Sequence, residues 1–248
     1  MGQELVARGG ANVNACTNRN ISHAYFQSYI YVDYQPPGTP LLWAVRRNQP
    51  DIVSFLLSVG ADPQKEFRML TLDTPLAWAA VMHHTTCLQR IISHLEARTK
   101  HARGKSPQDI TYGPLICCAI NAADKFSIII RNSSFYLIQL EATLRLLQEK
   151  TKNRHLNVAG DFETSLGYAV SEAHDEAAEI ILKIAWDIED INKPHNLDGR
   201  TPLLDAVHWN RRHMVRILLD HGADALAFAV DPFDQAKRNW SAFHVFAE

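Results

Sequence analysis

The residues able to do chemistry in this chain are present but not arranged for it. Gly104, Lys105 and Ser106 spell the end of a phosphate-cradling loop. That loop also needs a glycine five residues before its Gly-Lys, so that backbone N–H groups can wrap the phosphates. Position 99 is Thr, and the cradle is incomplete. His83 and His84 are adjacent, and neighbours on one helix point about 100° apart, which keeps both from one metal ion. No further ligand cluster stands at zinc spacing. The 12 histidines are scattered, and the G-x-S-x-G elbow that would serve a hydrolytic serine does not occur. Asn20, Asn132 and Asn239 open sequons, which matter only in a secreted chain. These residues lead us to expect no catalytic, cofactor-binding or metal-binding site and no small-molecule substrate.

Composition points the same way. The chain has 248 residues, 46% hydrophobic and 21% charged, with a net charge of −2. That is globular material with a core, and its charge balance favours neither nucleic acid nor an anionic membrane as partner. The N-terminus lacks an apolar signal region, and Val6 misses the myristoylation pattern. The most apolar stretch, Phe126–Leu140, is short and broken by Arg131 and Asn132, a poor membrane span. Cys16, Cys87, Cys117 and Cys118 form no C-x-x-C pair. They read as reduced, buried thiols of an intracellular protein, cytoplasmic or nuclear.

What the residues do share is a repeat. Segments of one pattern begin at Thr39 (TPLLWAV), Thr74 (TPLAWAA), Gly113 (GPLICCA), Thr164 (TSLGYAV), Thr201 (TPLLDAV) and Ser241 (SAFHVFA). The steps between them are 35, 39, 51, 37 and 40 residues. A second apolar block follows, and in the repeats at Thr39, Thr74, Thr164 and Thr201 it ends 18 residues after the start. In the third the distance is 34, so 16 extra residues lie between its two blocks.

Each position has a physical task. Thr is a good N-cap, and Pro at the first helical position sacrifices no hydrogen bond. Apolar residues then follow at helical spacing. Small residues at Ala44, Ala79, Cys118, Ala169 and Ala206 allow close helix approach. A short turn leads into a second helix of similar length, and Gly60 and Gly222 stand where a left-handed C-cap belongs. The unit is a helical hairpin plus a loop, and its faces are buried only by stacking on neighbours.

This pattern resembles the ankyrin repeat, a unit of about 33 residues with a T-P-L-H-x-A signature. Asp198–Ala225 is the fullest match, and Gly38–Pro63 is nearly as good. The signature His appears only at His244. Leu42, Ala77, Ile116, Gly167 and Leu204 replace it elsewhere, which calls for apolar packing in its place. The resemblance implies an all-α solenoid over residues 1–248. A partial repeat covers 1–14, a long aromatic segment 15–38, and a partial repeat 241–248. The apolar ends raise the expectation that the chain is a segment of a longer array, or the targeting or regulatory part of a larger enzyme or signalling protein. The alternative is a short final helix packed on the last repeat.

The resemblance also implies a non-catalytic module that binds an unidentified protein on its concave face and loop tips. The variable pairs that would carry recognition are Arg46 and Arg47, Val81 and Met82, Ser171 and Glu172, and His208 and Trp209. Leu197, Asp198 and Arg200 would add a loop tip. Trp209 and then Arg47 are the strongest candidates, since Trp and Arg dominate binding hot spots. Trp43, Trp78 and Tyr168 share a column expected to form inter-repeat core. Three segments keep two readings each. The rings of Tyr25, Phe26, Tyr29, Tyr31 and Tyr34 cover the edge of the first repeat or form a binding finger. The apolar insertion around Ile128–Leu137 extends the hairpin helices or makes an exposed patch. The basic loop from Arg98 to Lys105 is solvated, or it is functional as a contact for an acidic partner or a weak nuclear signal.

Overall fold

The structure, a computed structural model, describes residues 12–16, 38–65, 74–101, 112–121, 134–151, 164–184, 191–194 and 199–227. Its described elements are helical, with no strand among the described residues. We number the α-helices in chain order: α1 Pro40–Arg46, α2 Pro50–Ser58, α3 Pro75–Val81, α4 Thr85–His101, α5 Tyr112–Ile120, α6 Ser134–Thr151, α7 Ser165–Ser171, α8 Asp175–Lys183, α9 Pro202–His208 and α10 Arg212–Asp220. None of these is long and apolar enough to cross a membrane.

Two compact units divide the chain. The first holds Met1–Thr111 and Asn121–Leu146; the second holds Tyr112–Ile120 and Leu147–Glu248. In the first, inner helices α1 and α3 pack together, and outer helices α2 and α4 do the same. In the second, α7 packs against both α5 and α9, and α8 and α10 close the hairpins.

The helix starts follow from the sequence. The hydroxyl of Thr39 accepts from the Leu42 N–H, that of Thr74 from Ala77, that of Thr164 from Gly167 and that of Thr201 from Leu204, at 3.0–3.3 Å. Pro40, Pro75 and Pro202 occupy the first helical position, where a missing N–H costs nothing. In the third repeat α5 starts at Tyr112, one residue before Gly113.

The turns are equally regular. Asn48, His83, Ala173 and Asn210 each stand nine residues after the capping Thr and adopt φ between 50° and 61°. The following residue closes the turn onto the small residue of the inner helix. Gln49 donates to the Ala44 carbonyl, His84 to Ala79, His174 to Ala169 and Arg211 to Ala206, at 2.8–3.0 Å. Those alanines are buried, so they give close approach and accept the turn's hydrogen bond as well. Gly60 and Gly222 end the outer helices at φ 93° and 90°. Ala61 then donates to Leu56, and Ala223 to Leu218, the Schellman arrangement.

Two expectations need correction. The outer helices are not of similar length: α2, α8 and α10 have 9 residues, but α4 has 17 and α6 has 18. Where Gly60 and Gly222 stop α2 and α10, the second repeat has Leu95, and nothing obliges α4 to end there. Arg98, Lys100 and His101 therefore lie on the end of a helix, not in a loop. α6 runs unbroken over 134–151, a span with neither Gly nor Pro, and leaves the apolar Phe135 and Ile138 exposed; residues 122–133 lie outside the described residues. The second correction concerns Cys16, which is exposed, whereas Cys87, Cys117 and Cys118 are buried.

Segment 17–37 with its aromatic rings, the phosphate-loop fragment, Arg103, Lys105, the three sequons, and the ends 1–11 and 228–248 lie outside the described residues.

Candidate functional site

The candidate recognition residues cluster at the C-terminal ends of the inner helices and in the turns that follow. The caps and turns described above fix these backbones, so the side chains at each register are presented in the same way from repeat to repeat. Their fates differ.

In the first unit, the Arg46 guanidinium lies 4.8 Å from the Trp78 ring centroid and 6.0 Å from that of Trp43. It is a cation held over the π-faces of two successive inner helices. Arg47 is exposed, and its backbone N–H caps α1 by donating to the Trp43 carbonyl at 3.1 Å. Met82 is half-buried. Val81 is only 4% exposed and closes α3 into the core, so its side chain presents no surface. The expected column of Trp43, Trp78 and Tyr168 is part core and part site. Tyr168 is buried, but Trp43 and Trp78 are half-buried and carry Arg46.

In the second unit, the Ser171 hydroxyl donates to Asp205 Oδ2 at 2.5 Å, and Arg200 reaches Asp205 Oδ1 at 3.4 Å. Asp205 is 2% exposed, so its carboxylate depends on such partners. Glu172 is exposed. The Trp209 backbone N–H caps α9 on the Asp205 carbonyl at 3.0 Å, leaving its ring 61% exposed. The His208 ring meets it edge-on, centroids 4.9 Å apart. Leu197 and Asp198 lie outside the described residues.

Two features escaped sequence reasoning. Asp205 occupies the column of Trp43, Trp78 and Tyr168, four residues after its capping Thr, and a charged residue in an aromatic column was the available signal. The other is the residue that closes each turn. His84 Nδ1 lies 2.7 Å from the Val45 carbonyl of the preceding repeat, and Arg211 Nη1 donates to the Val170 carbonyl at 2.7 Å while pairing with Asp175 at 3.3 Å. These side chains tie consecutive repeats together through the backbone.

Electrostatics give no sign of an activated nucleophile or base among these groups. Burial pushes the Cys117 thiol up to about 12, with Cys118 adding to the effect, and burial raises Cys87 as well. Such thiols stay protonated at neutral pH. Burial lowers His83 to about 4, with a smaller contribution from His84. Its ring is 3% exposed, neither nitrogen finds a hydrogen-bond partner, and the Tyr136 ring packs against it edge-on at 5.3 Å. Desolvation lowers His84 too, partly offset by its bond to Val45. No group of three metal-ligating side chains forms among the described residues.

Comparison with known proteins gives consistent results. Residues 135–229 match the family described as ankyrin repeats (3 copies), and residues 38–66 match the ankyrin repeat. No curated protein matches the chain by sequence. Among solved structures it is similar to the ankyrin repeat domain of Bcl-3, described as a unique member of the IkappaB protein family. That likeness has TM-score 0.59 and 18% identity and covers 98% of this chain and 85% of that one. It is also similar to a chain of the Bd0816 predatory endopeptidase from Bdellovibrio bacteriovorus in complex with immunity protein Bd3460, with TM-score 0.47, 19% identity and coverage of 83% and 89%. A third, the human ASB11 ankyrin repeat domain, gives TM-score 0.40, 14% identity and coverage of 84% and 91%. With capping threonines, left-handed turns and inner-to-inner helix packing all at repeat register, the chain belongs to the ankyrin-repeat family.

Proposed function

We propose that this chain is a non-catalytic recognition module that binds a partner protein through the inner-helix ends and turns of its repeats. Ankyrin repeats are in general protein–protein interaction modules, and the reading extends that to particular residues here. The observation that carries it is Trp209. A large ring left 61% exposed in a tightly capped turn keeps most of its surface open to a partner. Exposed Trp on a rigid frame gives a partner large contact area at low entropic cost. His208, Glu172, Arg200 and Ser171 surround the same register in the second unit, and Arg46, Arg47 and Met82 occupy it in the first. The proposal keeps the repeats starting near 39, 74, 113, 164 and 201 as the organisation of the chain, with the third interrupted.

The test is capture of partner proteins from lysate by the immobilised chain. Trp209→Ala should weaken capture, and adding Arg47→Ala should weaken it further, with helical content by circular dichroism unchanged. Undiminished capture by the double variant would refute the assignment.

A further inference from the structure

We infer that the groove between the outer helices α2 and α4 binds a phosphoserine or phosphothreonine side chain of a partner protein. This site lies on the outer helices, whereas the recognition residues proposed above stand at the inner-helix ends, so the two assignments are independent.

The groove itself is the first argument. It has a volume of about 340 Å³ and is lined by Ser54 and Leu57 from α2 and by Gln89, Arg90, Ser93 and His94 from α4, none of them acidic. The α4 residues fall into two stripes at one-turn spacing. Gln89 and Ser93 form one stripe, and the small, exposed Ala97 continues it. Arg90, His94 and Arg98 form the other. Arg90 is already engaged: its Nη1 donates to Ser54 Oγ at 2.7 Å, and its Nη2 stands 3.4 Å from Asp51 Oδ1. It serves as a fixed wall whose charge Asp51 offsets. The open groups come from Gln89, Ser93 and Arg98, all exposed, and from half-buried His94. None of these four side chains makes a hydrogen bond or ion pair among the described residues.

Electrostatics is the second argument. Burial, and then the Arg98 charge, hold the His94 ring below its ordinary value. Two basic side chains thus face each other one turn apart, and an anion seated between them turns that repulsion into attraction. Glu96, the one acid of α4, is two residues from each, about 200° round the helix. A tetrahedral dianion accepts hydrogen bonds from several directions at once. That suits a hydroxyl, an amide, an imidazole and a guanidinium spread over two stripes, where one guanidinium edge would satisfy a carboxylate. The helix lengths favour a peptide as the carrier. Ser54 meets Arg90, so Ser58, the end of α2, is level with His94, and α4 runs on past it to His101. The groove is therefore open at that end for a chain to pass. One such site on a chain of net charge −2 makes no continuous basic track, which disfavours a nucleic acid strand.

Fluorescence anisotropy with the full chain tests this. The probe is a labelled pool of short peptides, degenerate except for a central phosphoserine. The controls are the same pool with serine, an oligothymidylate of equal length, and inorganic phosphate as competitor. The phosphorylated pool should bind about tenfold more tightly than the serine pool, and less tightly as salt rises. Arg98→Ala should weaken it by about tenfold. Asp51→Asn releases Arg90 and should tighten it by about threefold. Both side chains are exposed, so neither change should alter helical content by circular dichroism. Trp209→Ala should leave the affinity unchanged. Equal binding of the serine pool, tighter binding of the oligothymidylate, displacement by inorganic phosphate at the peptide's own concentration, or indifference to Arg98→Ala would overturn the inference. If Trp209→Ala lowers lysate capture while the phosphoserine pool fails to bind, the recognition role stands and this inference falls.

Discussion

The two units join neighbouring repeats at the same register with opposite chemistry. In the first, Arg46, seven residues after Thr39, meets Trp78, four after Thr74. In the second, Ser171, seven after Thr164, meets Asp205, four after Thr201. The backbones are equivalent, so the same two positions touch. What they make of the contact depends on the side chains: a cation over a ring in one case, a hydroxyl on a buried carboxylate in the other. The consequences for stability differ. A cation–π contact buries no anion and is worth about 0.5–2 kcal/mol. A buried carboxylate is tolerable only while its partners are in place, so deleting a partner costs more than the pair contributes. The frame is thus tolerant at Arg46 and brittle at Asp205.

The largest expected effect tests that brittleness. Asp205→Ala removes a buried carboxylate that meets both the Ser171 hydroxyl and Arg200 and should lower the urea-unfolding free energy by about 3 kcal/mol. Pairing Asp205→Leu with Ser171→Ala replaces the polar contact with an apolar one and should recover most of the loss. If the double variant is as unstable as Asp205→Ala, the polar pair is not what makes this site brittle.

A second comparison runs along the turns, where His83 holds the left-handed position taken elsewhere by Asn48, Ala173 and Asn210. Burial lowers His83 to about 4 in the folded chain, against an ordinary value of about 6.5. The unfolded chain therefore takes up the proton first. The contribution of His83 is fully present above about pH 6.5, declines as pH falls, and levels off below about 4. The total is about 3 kcal/mol, or 1.4 kcal/mol per pH unit across that window. His83→Asn keeps a residue suited to the turn and removes the titration. Urea unfolding between neutral pH and pH 4 should then lose less stability than in the parent chain. Parallel curves would show that His83 is not the group responsible.

A smaller effect is expected at the tolerant site. Arg46→Met keeps the stem and loses the charge over Trp78, and should cost about 1 kcal/mol. A loss as large as that of Asp205→Ala would erase the contrast between the units. Smallest of all is Ala173→Gly. A Cβ in the left-handed region is unfavourable, and removing it should raise stability by about 0.5 kcal/mol after the added entropy of the unfolded chain. Unchanged or lower stability would mean that Ala173 pays no conformational penalty.

Sequence reasoning reached the features that local physics controls. A Thr that caps, a Pro that starts a helix and a Gly that ends one act within a turn of their own position, so Thr39, Pro40 and Gly60 declared their roles in the one-dimensional pattern. The small residues were legible for a related reason, because close packing at repeat spacing admits little else there. The long α4 was open to the same reasoning, since Leu95 stands where a terminating Gly would be, but a missing stop signal is harder to read than a present one.

The site was legible only as a set of positions. Sequence alone determined the all-α repeat, its register and the turns at which recognition residues would stand, because these rest on backbone rules that each residue obeys locally. Tertiary structure alone decided what each side chain at those turns does. It buried Val81, laid Arg46 across two tryptophans, set Asp205 against Ser171 and Arg200, sealed His83 away from water, and left Trp209 exposed. The partners in these contacts are contributed by other helices and repeats, so their meeting depends on how hairpins stack, and no single repeat's sequence contains that information.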